Sequence, residues 1–251
     1  NDQNRMVDEL LDINPNTVVV LKCSSPVMMP WISKAKAVLE AWNQGTEDGH
    51  VVADLLFGVV NPSGKVPTTY AASEEDLLYA GRPERYPGTD EGNGFPVIRY
   101  SEGLNMGYRW FQSQGIKPLF PFGYGLSYTS FELSGFSVTP SQTDGKSPIE
   151  VTVTVTVTNT GKVAGAEVVQ VYLGIPVQGQ PPKRLVGFQK VYLEPNESRE
   201  VTITIDPMAT NHPMGVWDYY EHDFVVKPGE YTVYLGTSSE DTPYKGTIVV
   251  E

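Results

Sequence analysis

Few residues of this chain combine the types and the spacing that catalysis or metal binding requires. The chain has three histidines, and two of them, His212 and His222, lie in the same region as Asp223. Zinc ligands recur at short, regular intervals, and the serine of an α/β hydrolase lies in a glycine-flanked turn between a strand and a helix. Neither pattern surrounds these residues. The sequence therefore predicts no metal site and no serine-hydrolase triad.

A glycine-containing segment, Gly-Thr-Glu-Asp-Gly over residues 45–49, precedes a predicted helix. Glycines at a helix start can expose backbone N–H groups to a phosphate. Here Glu47 and Asp48 would repel an anion, and no lysine follows in the position that a P-loop requires. We expect Thr46 and Asp48 instead to cap the helix and to complement its dipole.

Cysteine content and charge narrow the class of protein further. Cys23 is the single cysteine, so no intrachain disulfide can form, and its place at the end of an apolar run is typical of a small buried side chain.

The formal net charge of −12 predicts repulsion from nucleic acid and from anionic membrane surfaces. No apolar run approaches the roughly 20 residues of a membrane span, and the polar start does not resemble a signal peptide. We therefore expect neither nucleic acid nor a membrane as a partner.

The first part of the chain has the pattern of an α/β layer. Apolar residues recur at helical spacing over 2–12, and residues 17–21 form a β-branched run typical of a strand buried on both faces. A second strand is predicted over 37–42 and a helix over 48–57, which ends at Gly58. Two strands are too few for a stable parallel sheet. Residues 1–70 are therefore expected to complete a larger α/β sandwich domain.

The last part has the period-two alternation of an antiparallel sheet. Apolar residues occupy every odd position from Ile149 through Val157. Seven further strands are predicted, at 132–138, 167–173, 184–193, 199–205, 216–226, 230–236 and 245–250. About seven short strands in a domain of this size predict an immunoglobulin-like β-sandwich. The predicted fold class is thus α/β followed by all-β, with domains at 1–70 and 131–251 and a linker with an inter-domain loop over 71–130.

Two segments closely resemble a family signature. They are Tyr-Ser-Glu-Gly-Leu-Asn-Met-Gly-Tyr-Arg-Trp-Phe over 100–111 and Pro-Leu-Phe-Pro-Phe-Gly-Tyr-Gly-Leu-Ser-Tyr over 118–128. The family is glycoside hydrolase family 3, the β-glucosidases and their relatives. Further matches are Asn-Pro-Ser-Gly-Lys-Val-Pro over 61–67 and Lys-Pro-Gly-Glu-Tyr-Thr-Val-Tyr-Leu-Gly over 227–236. The resemblance implies the end of an α/β sandwich domain followed by a fibronectin type III-like domain.

The resemblance also implies where the chemistry lies. The family cleaves a glycosidic bond with two carboxylates, and its nucleophilic aspartate and acid/base glutamate are expected upstream of Asn1. We therefore assign no catalytic residue to this chain and expect the chain alone to be inactive. The segment 71–99 is either a solvated surface loop or, as the corresponding stretch can in relatives, a loop that approaches the mouth of the active site. In the second case Tyr100 and Glu102 are the substrate-binding candidates near that cleft. Four aromatic residues, Tyr100, Tyr108, Trp110 and Phe111, are also candidates for anchors that pack the linker.

The function implied is that of a retaining β-glucosidase acting on terminal, non-reducing β-D-glucosyl residues, without a cofactor. Its implied partners are the upstream barrel and α/β portion of the same enzyme, on the same or a separate chain, and a β-glucoside substrate. A homo-oligomer stays open, and the substrate class and acidity lead us to expect a secreted or periplasmic location. Two alternatives remain: a β-xylosidase or other exo-glycosidase of the family, and a non-catalytic carbohydrate-binding or adhesion module.

Overall fold

The computed structural model describes residues 2–92, 94–140 and 150–251. It divides into two compact units, each built from several stretches of the chain. The first unit comprises Asn1–Val60, Thr68–Arg99 and Lys117–Phe120, and the second comprises Asn61–Pro67, Tyr100–Ile116 and Pro121–Glu251. Of the described helices, none has the length and apolar composition to cross a bilayer.

The described residues of the first unit form two α-helices and two pairs of short strands. Helix α1 (Asp2–Ile13) precedes strand β1 (Val18–Leu21), which pairs in parallel with β2 (Ala37–Glu40). A 3₁₀ turn (Gly45–Glu47) leads into α2 (Asp48–Leu56), and β3 (Thr89–Asp90) pairs with β4 (Pro96–Val97). Gly58 has a φ of 73°, so the predicted left-handed end of α2 is confirmed.

Capping of α2 differs from the prediction. The residue that precedes the helix is Glu47, and its side chain makes no capping hydrogen bond. The 3₁₀ turn places Thr46 before that position and Asp48 inside the first helical turn. The prediction that Thr46 and Asp48 cap the helix was therefore wrong about the cap, because the chain is already helical when it reaches Asp48. Asp48 is instead paired with Lys22.

The second unit is dominated by a β-sandwich, which confirms the predicted fold of the last part. One sheet has the strand order β5 (Phe131–Pro140), β6 (Val151–Asn159), β9 (Ser198–Ile205). The other has the order β13 (Tyr244–Val250), β12 (Gly229–Gly236), β7 (Gly165–Gly174), β8 (Arg184–Leu193). A separate hairpin is formed by β10 (Val216–Asp218) and β11 (Asp223–Val225). Helix α3 (Tyr108–Gln114) precedes the sandwich in sequence.

The alternation in β6 follows the sequence pattern. Val151, Val153, Val155 and Val157 are at most 1% exposed and lie in the core, whereas the intervening threonines are only partly buried. Ile149, the first residue of the predicted pattern, lies outside the described residues. The single strand predicted over 216–226 was wrong: Asp218 accepts hydrogen bonds from the backbone N–H groups of Tyr220 and Glu221 and turns the chain back on itself.

The two compact units have bounds that differ from the predicted domain boundaries at 70 and 130. Residues 61–67 belong to the sandwich unit, and residues 68–99 and 117–120 belong to the α/β unit. The backbone N–H of Tyr70 donates to the carbonyl of Phe120 at 2.8 Å, and this pairing joins 117–120 to the first unit. The segment 71–130 is therefore divided between the two units in the structure.

Candidate functional site

The two family segments at 61–67 and 121–128 pair with each other in the second unit. The backbone N–H of Val66 donates to the carbonyl of Tyr124 at 2.8 Å, and the N–H of Gly123 donates to the carbonyl of Val66 at 2.9 Å. These bonds form a short ladder outside the named strands. These two of the segments that carry the resemblance therefore form one structural feature, which we call the paired segments.

Two glycines allow this close approach. Gly123 has a φ of 80°, and a Cβ atom there would lie 2.1 Å from the Oε1 atom of Gln170. A Cβ on Gly125 would lie 2.1 Å from the carbonyl oxygen of Gly64. Both distances are far below van der Waals contact. The glycines of the Phe-Gly-Tyr-Gly motif are thus required because backbone and buried side chains occupy the space where a side chain would stand.

Asn61, at the start of the first segment, binds the end of the second. Its Nδ2 donates to the carbonyl of Ala164 at 2.9 Å, and its Oδ1 accepts hydrogen bonds from Ser127 Oγ at 2.9 Å and from the N–H of Tyr128 at 2.8 Å. The asparagine amide is suited to this position because it both donates and accepts. Sequence reasoning found the Asn-Pro-Ser-Gly motif but missed this role.

An ion pair and a glutamine fix the paired segments to β7. Lys65 Nζ lies 2.7 Å from Glu167 Oε1, with side chains 14% and 12% exposed. Gln170 Nε2 donates to the carbonyls of Gly123 at 3.0 Å and Thr237 at 2.6 Å, and its Oε1 accepts from the hydroxyl of Tyr172 at 2.6 Å. Burial raises the pKa of Tyr172, which therefore remains a protonated donor.

The contact with the paired segments explains why β7 is buried on both faces. Val169, Val171 and Leu173 lie in the core, yet Gln170 and Tyr172 on the opposite face are buried as well. A strand with one face in solvent would leave those two residues exposed. The polar glutamine within the otherwise apolar run 168–173 is the sequence signal for a covered outer face, and it was not used in the prediction.

Helix α3 adds an aromatic contact on the same face. The Tyr108 ring stacks on Phe122 with centroids 4.9 Å apart and meets Tyr172 edge-on at 5.9 Å. The Tyr108 hydroxyl oxygen accepts a hydrogen bond from the N–H of Leu185 at 2.8 Å. Phe111 is also buried. The anchor roles predicted for Tyr108 and Phe111 are therefore consistent with the packing, although the helix itself was not predicted.

The two substrate-binding candidates lie in a turn before α3. Tyr100 is 77% exposed, so it does not act as an anchor in this unit, and its carbonyl accepts a hydrogen bond from Gly103 at 3.2 Å. Glu102 is only 9% exposed, and its carbonyl accepts from the N–H of Asn105 at 3.2 Å. Their role near a substrate cleft stays a prediction.

A polar cluster lies at the carboxyl ends of β1 and β2 in the first unit. The Tyr70 hydroxyl donates to Glu40 Oε2 at 2.8 Å, and the thiol of Cys23 lies 3.5 Å from the same atom. Burial and the Glu40 carboxylate raise the pKa of both Tyr70 and Cys23. A raised pKa keeps the thiol protonated and therefore a weak nucleophile.

The remaining candidates for chemistry are separated. His212 stacks on Phe224 at 4.3 Å, whereas His222 lies at the hairpin turn with a φ of 52°. Nδ1 of His50 lies 2.8 Å from Glu47 on an exposed surface. Within residues 2–92, 94–140 and 150–251, no three His, Cys, Asp or Glu side chains converge as metal ligands.

The fold and these contacts define a small α/β unit and a second unit in which a glycine-containing segment is fixed to a β-sandwich. A family model described as the glycosyl hydrolase family 3 C-terminal domain matches residues 1–128, and a fibronectin type III-like domain matches residues 167–239. The chain belongs to glycosyl hydrolase family 3, as part of its C-terminal region.

Relatives of known name support the same assignment. Thermostable beta-glucosidase B from Acetivibrio thermocellus is 41% identical over 99% of this chain. The crystal structure of DesR, a beta-glucosidase from Streptomyces venezuelae, is 41% identical over 100% of this chain, with a TM-score of 0.90. Beta-glucosidase 3B from Thermotoga neapolitana is 34% identical, with a TM-score of 0.82. The chain spans 31%, 31% and 34% of these three proteins, respectively.

Proposed function

We propose that this chain is the C-terminal portion of a retaining β-glucosidase that hydrolyses terminal, non-reducing β-D-glucosyl residues. The observation that carries the proposal is the alignment of nearly the whole chain with proteins named beta-glucosidases, at 41% identity. The paired segments add support, because the motifs shared with the family are those that fix the fold of the second unit.

In the proposed mechanism both catalytic carboxylates lie upstream. An aspartate attacks the anomeric carbon and forms a glycosyl-enzyme intermediate while a glutamate protonates the leaving oxygen. Water, activated by the same glutamate, then hydrolyses the intermediate with net retention. The contribution of this chain is structural: it supplies part of the α/β layer that positions the acid/base loop. Displacement of a catalytic group by about 1 Å can cost about a hundredfold in rate.

Exposed apolar residues of the first unit favour this proposal over a self-sufficient binding module. Phe57 is 85% exposed, and Ile13 and Val59 are also largely exposed. The parallel sheet of the unit has two strands, and parallel sheets are stable when both faces are covered. An upstream α/β portion would cover these surfaces.

We also propose, from the substrate class and the net charge of −12, that the enzyme is secreted or periplasmic.

The test is hydrolysis of p-nitrophenyl β-D-glucoside and of the matching β-D-xyloside by the complete protein that carries this chain. We expect kcat/KM for the glucoside to exceed that for the xyloside by at least about tenfold, which corresponds to about 1.4 kcal/mol of transition-state binding. NMR of the early product should show β-glucose, as retention requires. A preference for the xyloside would favour the β-xylosidase alternative, and the absence of hydrolysis of either substrate would overturn the proposal.

A further inference from the structure

The hairpin β10–β11 carries a group of aromatic side chains outside the core. Trp217 pairs across the hairpin with Phe224, and their rings meet edge to face at 5.3 Å. Tyr219 and Tyr220 follow in the turn, with Tyr220 90% exposed. On the opposite face Val216 packs against the sandwich core. We call the outward face with its turn the aromatic hairpin.

The aromatic hairpin is held rigidly at its base. Arg184 donates hydrogen bonds to the carbonyls of His212, Pro213 and Gly215 at 2.7 to 3.1 Å. The His212 ring stacks on Phe224 at 4.3 Å with an interplanar angle of 11°. Rings fixed in this way lose little conformational entropy when a ligand packs on them.

The turn of the hairpin is fixed by hydrogen bonds to Asp218. Asp218 Oδ1 accepts hydrogen bonds from the N–H groups of Tyr220 at 2.9 Å and Glu221 at 3.2 Å, and its Oδ2 accepts one from Lys227 at 2.6 Å. The nearby cation is therefore already paired. Two exposed acidic residues, Glu221 and Asp223, lie between Tyr220 and Phe224 in the sequence of the hairpin.

Exposed aromatic rings, acidic residues and the absence of an unpaired lysine among these contacts favour a neutral, hydroxylated ligand. Acidic side chains and a chain charge of −12 repel anionic partners such as nucleic acid. The C–H faces of a β-linked glucose ring are apolar and pack on aromatic rings, while its hydroxyl groups donate to carboxylates. We infer that the aromatic hairpin is a non-catalytic binding site for a β-glucan chain; the choice of sugar rests on the proposed function.

The test is native gel electrophoresis of the complete protein with barley β-glucan in the gel, and with dextran as the control polysaccharide. We expect barley β-glucan to retard the wild type, also when glucose fills the active site. Trp217→Ala/Tyr219→Ala should weaken retardation at least about tenfold, and Tyr219→Ala/Tyr220→Ala, confined to the turn, at least about threefold. The matched control is Phe188→Ala/Tyr192→Ala, which removes two exposed rings from β8 and should retain full retardation.

All variants should hydrolyse p-nitrophenyl β-D-glucoside at the wild-type rate. Unchanged retardation in either hairpin variant, or none in the wild type, overturns the inference. A wild-type dimer that the hairpin variants convert to a monomer also overturns it and assigns the rings to self-association. Hairpin-dependent retardation without any hydrolysis would leave this inference standing and refute the proposed function.

Discussion

At the residue scale, the Lys65–Glu167 pair is the electrostatic contact on which the paired segments depend most. The two atoms lie 2.7 Å apart in a largely buried site, where Glu167 Oε1 also accepts the N–H of Val168 at 2.6 Å. Removal of one partner from such a pair leaves a buried charge without compensation. The pair therefore couples the segment 61–67 to β7.

We predict that Glu167→Gln lowers the free energy of unfolding by about 3 kcal/mol. The matched control is Arg199→Gln, which breaks the exposed pair with Glu197 and should cost less than about 1 kcal/mol. Urea denaturation followed by circular dichroism measures both. Equal losses in the two variants would show that the buried pair contributes no more than a surface pair.

Asp218 gives the hairpin a pH dependence. The Lys227 ammonium and the two backbone N–H groups lower the pKa of Asp218 from its usual 3.8 to about 2. A folded-state pKa below the unfolded value stabilises the fold above the unfolded pKa, and this contribution disappears as the pH falls through the folded pKa. The stabilisation is therefore complete above about pH 4 and is lost toward pH 2.

We predict that Asp218→Asn is less stable than the wild type at pH 7 and that the difference shrinks between pH 4 and pH 2. Urea midpoints measured at half-unit pH intervals test this, with Glu221→Gln as the control on the same turn. A difference that persists unchanged down to pH 2 would assign the role of Asp218 to packing alone.

At the element scale, the Phe-Gly-Tyr-Gly turn is specified by the space around it. Gly123 and Gly179 both have positive φ, 80° and 85°, but a Cβ would meet Gln170 at the first and open space at the second. Gln170 cannot move aside cheaply because it is buried and bonded to two carbonyls and a hydroxyl.

We therefore predict that Gly179→Ala costs about 1 kcal/mol, the price of the backbone conformation alone, and that Gly123→Ala costs about 3 kcal/mol because overpacking adds to it. Thermal unfolding of the two variants under identical conditions makes the comparison. Equal losses of stability in the two variants would mean that the Gln170 side chain moves aside at little cost, so that its closeness to Gly123 does not exclude a Cβ atom.

The sequence predicted most elements whose pattern is local. Alternation predicted β6, because one face of that strand is uniformly buried, and the β-branched run predicted β1, although only Val19 of that strand is buried and Val18 is exposed. It failed where a second segment changes the environment of an element. Helix α3 has only seven residues, fewer than two full turns, which is too short to establish a helical periodicity. The predicted 216–226 strand is broken because the Asp218 carboxylate accepts hydrogen bonds from the backbone N–H groups of Tyr220 and Glu221, a contact that alternation does not encode.

The site was predictable only in outline. The motifs at 61–67 and 121–128 were found by resemblance, yet nothing in their spacing shows that they pair, because more than fifty residues separate them in sequence. Asn61 and Gln170 act through contacts with residues distant in the chain. Such long-range partners follow from the fold and are not encoded in local periodicity.

At the scale of the whole molecule, the two units differ in how completely they bury their apolar residues. The sandwich has a continuous core that includes Val157, Val169, Leu193 and Tyr231, each fully buried. The α/β unit leaves Phe57, Ile13 and Val59 exposed. Large apolar side chains that are exposed together often mark an interaction site. We attribute this one to the upstream portion of the proposed enzyme.

The most direct test of this account compares the 251-residue chain alone with the complete protein that carries it, in hydrolysis of p-nitrophenyl β-D-glucoside. Intact mass and subunit composition are determined on the same samples. We predict that the complete protein is active and that the chain alone is inactive, because both catalytic carboxylates are proposed to lie upstream. Activity from the chain alone would contradict the account, and Glu47, Asp48 and Glu102 would then be the first residues to replace.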